Sequence, residues 1–162
     1  MKIAIANDHR GYHLKEKLKK YLTKKGYEIL DLGTDSITSV DYPEYAFELS
    51  KKIIDQEADL GIAICGSGIG ISIACNKVKG IRCAKPINAR EARLSREHND
   101  ANIVALSANV SYFKNLDILD SFLKAKFTGI QRHQRRIDQI TEFENQKPKR
   151  TIKKKEENKD EC

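Results

Sequence analysis

Short apolar segments that alternate with longer amphipathic ones restrict most strongly how this chain can fold. The apolar segments lie at residues 3–6, 27–32, 60–64, 81–84 and 103–106. Each has the length of a buried strand, and each is followed by a segment long enough to form a crossover helix. Strands joined by such helices run in the same direction, and helices then cover both faces of the sheet. The pattern therefore predicts a parallel sheet within an α/β domain.

The intervening segments have the apolar spacing and the end signals of helices. In residues 12–25, Leu14, Leu18 and Leu22 recur at helical spacing, and Gly26 follows them. Pro43 falls in the first turn of a helix predicted over 41–56. Further helices are predicted over 71–76, 88–97, 117–126 and 131–146. We expect a three-layer, Rossmann-like α/β fold with a five-stranded parallel sheet and a C-terminal helix.

The net charge is +7, and the densest run of basic residues lies near the end of the chain. Residues 147–155 are rich in Lys and Arg, and four acidic residues follow. Such a segment has too few apolar groups to offset its ordering entropy, so residues 146–162 are predicted to be a disordered tail after a domain over 1–145. A basic tail can bind nucleic acid, but we favour a solubilising extension. With no apolar run long enough for a bilayer and no signal-peptide pattern, we expect a cytoplasmic protein without a membrane partner.

Two strand ends have side chains that suit chemistry. Ligands of open parallel sheets bind beyond the carboxyl ends of the strands. Asp8 and His9 follow the first strand, and Cys65 ends the third, directly before the turn Gly66-Ser67-Gly68-Ile69-Gly70. Glycines let backbone N–H groups converge on an anion, and a thiol beside them is favoured as the thiolate. The alternative is a buried cysteine beside a structural turn, since the motif has neither dinucleotide nor P-loop spacing.

Two further polar groups lie on predicted helices. His98 and Asn99 close the helix before the fifth strand, where they form either a capped end or a proton-transfer group with an oxyanion donor. Arg132 and Arg136 are four residues apart and share one face of the last helix. Two guanidinium groups on one face suit a phosphate, although a solvated basic face is the simpler interpretation.

The cysteines give no sign of a metal centre. The chain has Cys65, Cys75, Cys83 and Cys162, with no C-x-x-C pair among them. This spacing argues against a zinc ribbon or a thioredoxin-like motif. Cys75 and Cys83 lie in apolar stretches, so we expect them to be inert core residues.

Taken together, these groups and their order resemble the type B ribose-5-phosphate isomerases, of the ribose/galactose-6-phosphate isomerase superfamily. The resemblance extends over nearly the whole chain up to about residue 145. Its motifs are Asp8-His9, Asp41-Tyr42-Pro43, the turn from Cys65 to Gly70, Asn76-Lys77, the segment 98–102, and Arg132-His133-Gln134 with Arg136. No one of these motifs is specific alone, but their joint occurrence is.

The resemblance implies an aldose–ketose isomerase that interconverts ribose 5-phosphate and ribulose 5-phosphate through a cis-enediolate, with no metal and no cofactor. It implies that a thiolate moves the proton, that the glycine turn holds the enediolate oxygens, and that basic side chains hold the phosphate. The implied residues are Cys65, His98, Ser67 and Asp8 for proton transfer and ring opening, and His9, Gly66, Gly68, Ile69, Gly70, Asn99, Arg132 and Arg136 for substrate binding.

The resemblance also implies a homodimer with a composite active site, with a tetramer left open. The chain topology points the same way. A crossover helix returns from the carboxyl ends of the strands to their amino ends. His98 and Asn99 should therefore lie at the amino edge of their own sheet, away from Cys65.

One position departs from the family pattern. Many members have an arginine after a small-residue pair beyond the fifth strand, whereas this chain has Asn109 there. We expect that Asn109 supplies no third charge to the phosphate. Arg90, at the start of the fourth helix, is a candidate to compensate.

Other functions stay open at this point. Galactose-6-phosphate isomerases generally lack a histidine at the position of His98, so a ribose substrate is favoured, and allose 6-phosphate is a further possibility. A non-catalytic, flavodoxin-like binding module would explain the sheet and the glycine turn. It would leave Cys65, His98 and the two arginines without a common role.

Overall fold

The computed structural model describes residues 1–146, which form a five-stranded sheet with helices on both faces. The strands are β1 (Lys2–Asn7), β2 (Glu28–Asp31), β3 (Leu60–Cys65), β4 (Cys83–Ala84) and β5 (Ile103–Ser107). The helices are α1 (Tyr12–Lys24), α2 (Tyr42–Ile54), α3 (Ile69–Cys75), α4 (Ala89–Asn99), α5 (Tyr112–Lys124) and α6 (Gln131–Asn145). The predicted α/β fold and its C-terminal helix are confirmed. The disorder predicted for the tail falls on residues 147–162, outside the described residues.

The order of the strands places a crevice at the centre of the sheet. The order is β2-β1-β3-β5-β4, and every pair is parallel. The chain moves from β1 to one side and returns to β3 on the other, so the winding reverses between these two strands. Their carboxyl ends lie side by side, since Asn7 pairs with Ile64 and the Asp8 N–H donates to the Ile64 carbonyl at 3.1 Å. Crevices at such reversals are the usual ligand sites of open α/β sheets.

Both faces of the sheet are buried, and they differ in the size of their side chains. On β1, Ile3 and Ile5 pack into one core with α1, α4 and α5. Ala4 and Ala6 face the opposite core, with α2 and α3. Cys65 belongs to this second face. The alternation follows the two-residue repeat of a strand, and it places the Cys65 side chain beneath α2 and α3.

Two helices begin earlier than the apolar spacing predicts. Helix α3 begins at Ile69, because Gly68 adopts a left-handed conformation with φ +75° and ends the turn there. Helix α5 begins at Tyr112 and not near residue 117, because the Ser111 side chain accepts a hydrogen bond from the Lys114 N–H and caps it.

A buried lysine ties the segment after β2 to α1. Lys15 is 1% exposed, and its Nζ lies 3.1 Å from Asp31 and 3.0 Å from the Thr34 carbonyl that accepts from it. Burial raises the pKa of Asp31, but hydrogen bonds from Lys19, Gly33 and Lys15 outweigh it and leave that pKa below its usual value. The apolar pattern did not indicate this burial. The contacts fix the start of the loop that leads to α2.

Within residues 1–146, no helix has both the length and the apolar character needed to cross a bilayer.

Candidate active site

Cys65 lies at the carboxyl end of β3, where its thiol meets the glycine turn. The residue is 4% exposed, and the Gly68 N–H donates to its Sγ at 3.2 Å. An N–H donor aimed at sulfur stabilises negative charge there. A side chain at position 68 would bring a Cβ within 3.0 Å of the Leu106 carbonyl in a left-handed conformation, so this turn requires glycine.

The rest of the turn leaves hydrogen-bond donors open to a ligand. Ser67 is exposed, and its Oγ accepts from the Ile69 N–H at 3.2 Å. Among the hydrogen bonds of residues 1–146, the N–H groups of Gly66 and Ser67 have no acceptor. Tyr42 lies against the far end of the turn, since a Cβ at Gly70 would come 2.7 Å from its ring. The turn is therefore a set of donors beside the Cys65 thiol, with an aromatic ring on one side.

The end of β1 presents an acid and an imidazole to the same edge. Asp8 is buried, and its Oδ1 accepts from the N–H groups of Arg10 and Gly11 at 2.9 and 3.0 Å. These bonds cap the 3₁₀ turn His9–Gly11. The Nδ1 atom of His9 faces the Val40 N–H at 3.2 Å and the Val40 carbonyl at 3.3 Å. The Nε2 atom of His9 is thus the one left for a ligand.

The loop after β5 is bonded to the glycine turn. The Ala108 N–H donates to the Cys65 carbonyl at 2.9 Å, and both the Asn109 N–H and the Ser107 hydroxyl donate to the Gly66 carbonyl. The Asn109 Oδ1 in turn accepts from Nη2 of Arg10 at 3.0 Å. We name Asp8, His9 and residues 65–70 the carboxyl-edge cluster. Arg10 and Tyr42 border it, although the sequence pattern assigned neither a role.

The other predicted residues form a second cluster, where α6 packs on α4. The rings of His98 and His133 are stacked, with centroids 4.2 Å apart and planes within 8°. The charges of Arg132 and Arg136 lower the pKa of His133, so both guanidinium groups lie near its ring. We name His98, Asn99, Arg132, His133 and Arg136 the histidine–arginine cluster. His98 is half-buried, and Asn99 and the two arginines are exposed.

The two clusters lie at opposite edges of the sheet within one chain. Asn102, three residues after Asn99, accepts through its carbonyl from the Gly61 N–H at the amino end of β3. Cys65 lies four residues further along the same strand, which corresponds to roughly 13 Å at the rise of a parallel strand. The structure therefore gathers the predicted site residues into two groups, which are separated by about the length of strand β3.

The stacked pair of histidines makes stability depend on pH. Burial lowers the pKa of His133, and the charges of His98, Arg132 and Arg136 lower it further. Below the usual histidine value of about 6.5, the unfolded chain takes up a proton at this residue that the folded chain does not. Folding stability should therefore fall as the pH is lowered from 7 through that value, until the folded pKa is passed.

This prediction can be measured as thermal midpoints between pH 7.5 and 5 for the natural protein and for His133→Asn. The midpoint of the natural protein should fall more steeply, because the variant lacks the titrating group. The matched control is His13→Asn, which removes an exposed histidine of α1 and should leave the slope unchanged. Equal slopes for the natural protein and His133→Asn would contradict the prediction.

The remaining cysteines differ in burial. Cys75 is fully buried, as predicted for a core residue. Cys83, on the edge strand β4, is only partly buried and packs against the same core as Cys75. A hydrogen bond with Cys75, together with burial, raises the pKa of the Cys83 thiol. Within residues 1–146, no group of three or more His, Cys, Asp or Glu side chains is placed to hold a metal ion.

A parallel α/β sheet with a thiol beside a glycine turn, and with basic groups nearby, is suited to moving a proton on an anionic substrate. Comparison with known proteins gives this class a family. Residues 3–140 match the model of the Ribose/Galactose Isomerase family. The chain belongs to this family, and the prediction of an isomerase is confirmed at that level.

Individual relatives match this chain along almost their full length. Ribose-5-phosphate isomerase B of Escherichia coli is 41% identical over 150 residues, which cover 90% of this chain and 98% of the relative. The structure of ribose-5-phosphate isomerase B from Clostridium thermocellum is 50% identical with a TM-score of 0.87, over 89% of this chain and 97% of that one. The enzyme from Mycoplasma genitalium, solved with bound ribulose-5-phosphate, is 42% identical with a TM-score of 0.85, over 90% and 97%.

Proposed function

We propose that this chain interconverts ribose 5-phosphate and ribulose 5-phosphate through a cis-enediolate, with Cys65 as the base. The observation that supports it most directly is the Cys65 thiol at 3.2 Å from the Gly68 N–H, beside the open donors of Gly66 and Ser67. A base next to a group of N–H donors suits a reaction that removes a proton and places negative charge on neighbouring oxygens. The relatives named above are ribose-5-phosphate isomerases, and one was solved with the ketose product.

The proposed step moves one proton between two carbons. The Cys65 thiolate takes the proton from C2 of the open-chain aldose, and the C2–H electron pair forms the C1–C2 double bond of the enediolate. Charge develops on the oxygen at C1, which the turn from Gly66 to Gly70 and Ser67 stabilises. A proton then passes from the oxygen at C2 to the oxygen at C1, and the thiol returns its own proton to C1. The C2 oxygen becomes the ketone, and no electron acceptor is needed.

The second cluster would supply the other functions of the site. His98 assists opening of the furanose ring, with the buried Asp8 on the ring-oxygen side, and Asn99 contacts a sugar hydroxyl. The exposed guanidinium groups of Arg132 and Arg136 bind the phosphate together with His9. These roles are compatible with the stacking of His98 on His133, which fixes the orientation of the His98 ring.

A complete site would then need two chains. The two clusters face opposite edges of one sheet, so a sugar bound at Cys65 would meet His98 of a neighbouring subunit. Ile69 and Ile73 on α3 are 53% and 55% exposed and lie one helical turn apart beside the glycine turn. Exposed aliphatic side chains next to a site suit a subunit interface. We propose a two-fold homodimer with two equal composite sites, and a tetramer would be a further association of such dimers.

The substrate is tested by a coupled assay that compares ribose 5-phosphate, allose 6-phosphate and galactose 6-phosphate. We expect the highest kcat/KM for ribose 5-phosphate. His98 can assist opening of its furanose ring, and its five-carbon chain has the shortest span between the reacting carbons and the phosphate. Activity with a hexose phosphate and none with ribose 5-phosphate would contradict the proposed substrate and leave the isomerase class in place. A heat-inactivated sample and the Cys65→Ala variant serve as controls.

A further inference from the structure

The guanidinium group of Arg10 is fixed above the glycine turn by two neighbouring strand ends. Its Nη2 donates to Asn109 Oδ1 at 3.0 Å, and its Nε lies where a Cβ on Gly66 would be only 2.6 Å away. Asn109 is itself held, because its N–H donates to the Gly66 carbonyl at 3.1 Å and to Ser107 Oγ at 3.2 Å. Arg10 is exposed, yet contacts from β3 and β5 hold its charged end in place.

The charge of this group has no counter-charge in the described part of the chain. No carboxylate of residues 1–146 lies within 4.0 Å of the Arg10 guanidinium, and its partner Asn109 is a neutral amide. The same edge presents the Nε2 atom of His9, which is proposed above to bind the phosphate. A fixed cation beside this ring nitrogen creates a positive potential that favours an anion. The donor fork of arginine matches the oxygens of a phosphate.

We infer that Arg10 binds the phosphate of the substrate and that Asn109 positions the Arg10 side chain. This inference rests on the proposed function. Arg10 adds a guanidinium group from the chain that supplies Cys65, next to His9. The Asn109 side chain anchors this guanidinium group, because its Oδ1 accepts from Nη2 of Arg10. Arg90, the other candidate to compensate, is exposed at the first turn of α4 and forms no ion pair or side-chain hydrogen bond within residues 1–146.

The test measures KM for ribose 5-phosphate, kcat, and the inhibition constant of inorganic phosphate for Arg10→Ala. Loss of one charge-assisted contact should raise KM and the inhibition constant about 10- to 100-fold. The kcat should change little, because a phosphate contact is made equally in the ground state and the transition state. The matched control is Arg93→Ala, which removes an exposed arginine that pairs with Glu97 on α4 and should leave all three values unchanged.

A second variant tests the location of the charge. Arg10→Ala combined with Asn109→Arg supplies a guanidinium group from the neighbouring strand end, at the residue whose side chain holds Arg10 in the natural protein. This double variant should recover most of the phosphate affinity that Arg10→Ala loses. Asn109→Asp should weaken phosphate binding as Arg10→Ala does, because a carboxylate at position 109 would pair with the Arg10 guanidinium group and neutralise its charge.

Several results would overturn the inference. They are an unchanged inhibition constant in Arg10→Ala, no recovery in the double variant, or a loss in Arg90→Ala in place of Arg10→Ala. A fall in kcat with unchanged phosphate inhibition would assign Arg10 to the enediolate and not to the phosphate. Failure of the proposed function is a different result, since the natural protein would then not turn over ribose 5-phosphate. Calorimetric titration with inorganic phosphate still compares Arg10→Ala with the natural protein in that case.

Discussion

Replacing Cys65 by alanine should lower kcat for ribose 5-phosphate by about 10²- to 10⁴-fold, which is the usual contribution of a positioned base. The variant removes the sulfur that accepts from the Gly68 N–H, while the turn keeps its other bonds to Ser107, Ala108 and Asn109. The fold should therefore stay intact. The affinity for inorganic phosphate should not change, because the basic groups that bind it remain.

Cys65→Ser separates basicity from shape. A serine hydroxyl fits the space of the thiol and can accept from Gly68, but it is a much weaker base at neutral pH than a thiolate. Its kcat should stay close to that of Cys65→Ala. The matched control is Cys75→Ala, which removes a thiol buried in the same core, against the Ala46 carbonyl and away from the glycine turn. The Cys75→Ala protein that folds should have the same kcat as the natural protein. Near-natural kcat in either Cys65 variant would exclude Cys65 as the base.

The sequence predicted the sheet and the carboxyl-edge cluster because both depend on local patterns. Apolar runs identify the strands, and parallel pairing forces their carboxyl ends to one edge. Cys65 and Asp8 thus had to lie at the same edge of the sheet once the strands were recognised, and the pairing of β1 with β3 makes them neighbours. The crossover rule likewise predicted that His98 lies at the opposite edge, and the Asn102–Gly61 hydrogen bond agrees with this.

Contacts between distant segments could not be predicted in this way. Arg10 and Asn109 are 99 residues apart, and only the adjacency of three strand ends brings them together. The stacking of His98 on His133 depends on how α6 packs against α4, which no periodicity specifies. The burial of Lys15 went unnoticed because a lysine is ordinarily exposed, and only its partner Asp31 makes this burial tolerable.

The strand predicted over 81–84 is shorter in the structure, because a side chain bonds the backbone at its start. Only Cys83–Ala84 pair with β5. The Arg82 N–H donates instead to Asn102 Oδ1 at 2.8 Å, and Asn102 Nδ2 donates to the Gly80 carbonyl. The Asn102 side chain thus bonds two backbone groups next to β4, while the Arg82 carbonyl accepts from the Asn102 N–H. The apolar character of the segment reports its burial and not this bonding.

Two variants that are each inactive should restore activity when mixed, if the site is built from two chains. His98→Ala lacks the ring-opening group and Cys65→Ala lacks the base, but each chain retains what the other has lost. In a mixed dimer one site combines the intact Cys65 with the intact His98, and the other site lacks both. His98 lies in the last turn of α4 at the far edge of its own sheet, which makes the shared arrangement the simpler one.

The measurement that tests this account most directly is the activity of such a mixture after verified subunit exchange. Random exchange gives half mixed dimers with one working site each, so activity should reach about a quarter of that of the natural protein, as two-fold symmetry requires. Each variant incubated alone under the same conditions should stay inactive, which controls for contamination and refolding. If exchange is complete and activity does not return, each chain contains its own site, and the composite site proposed here is contradicted.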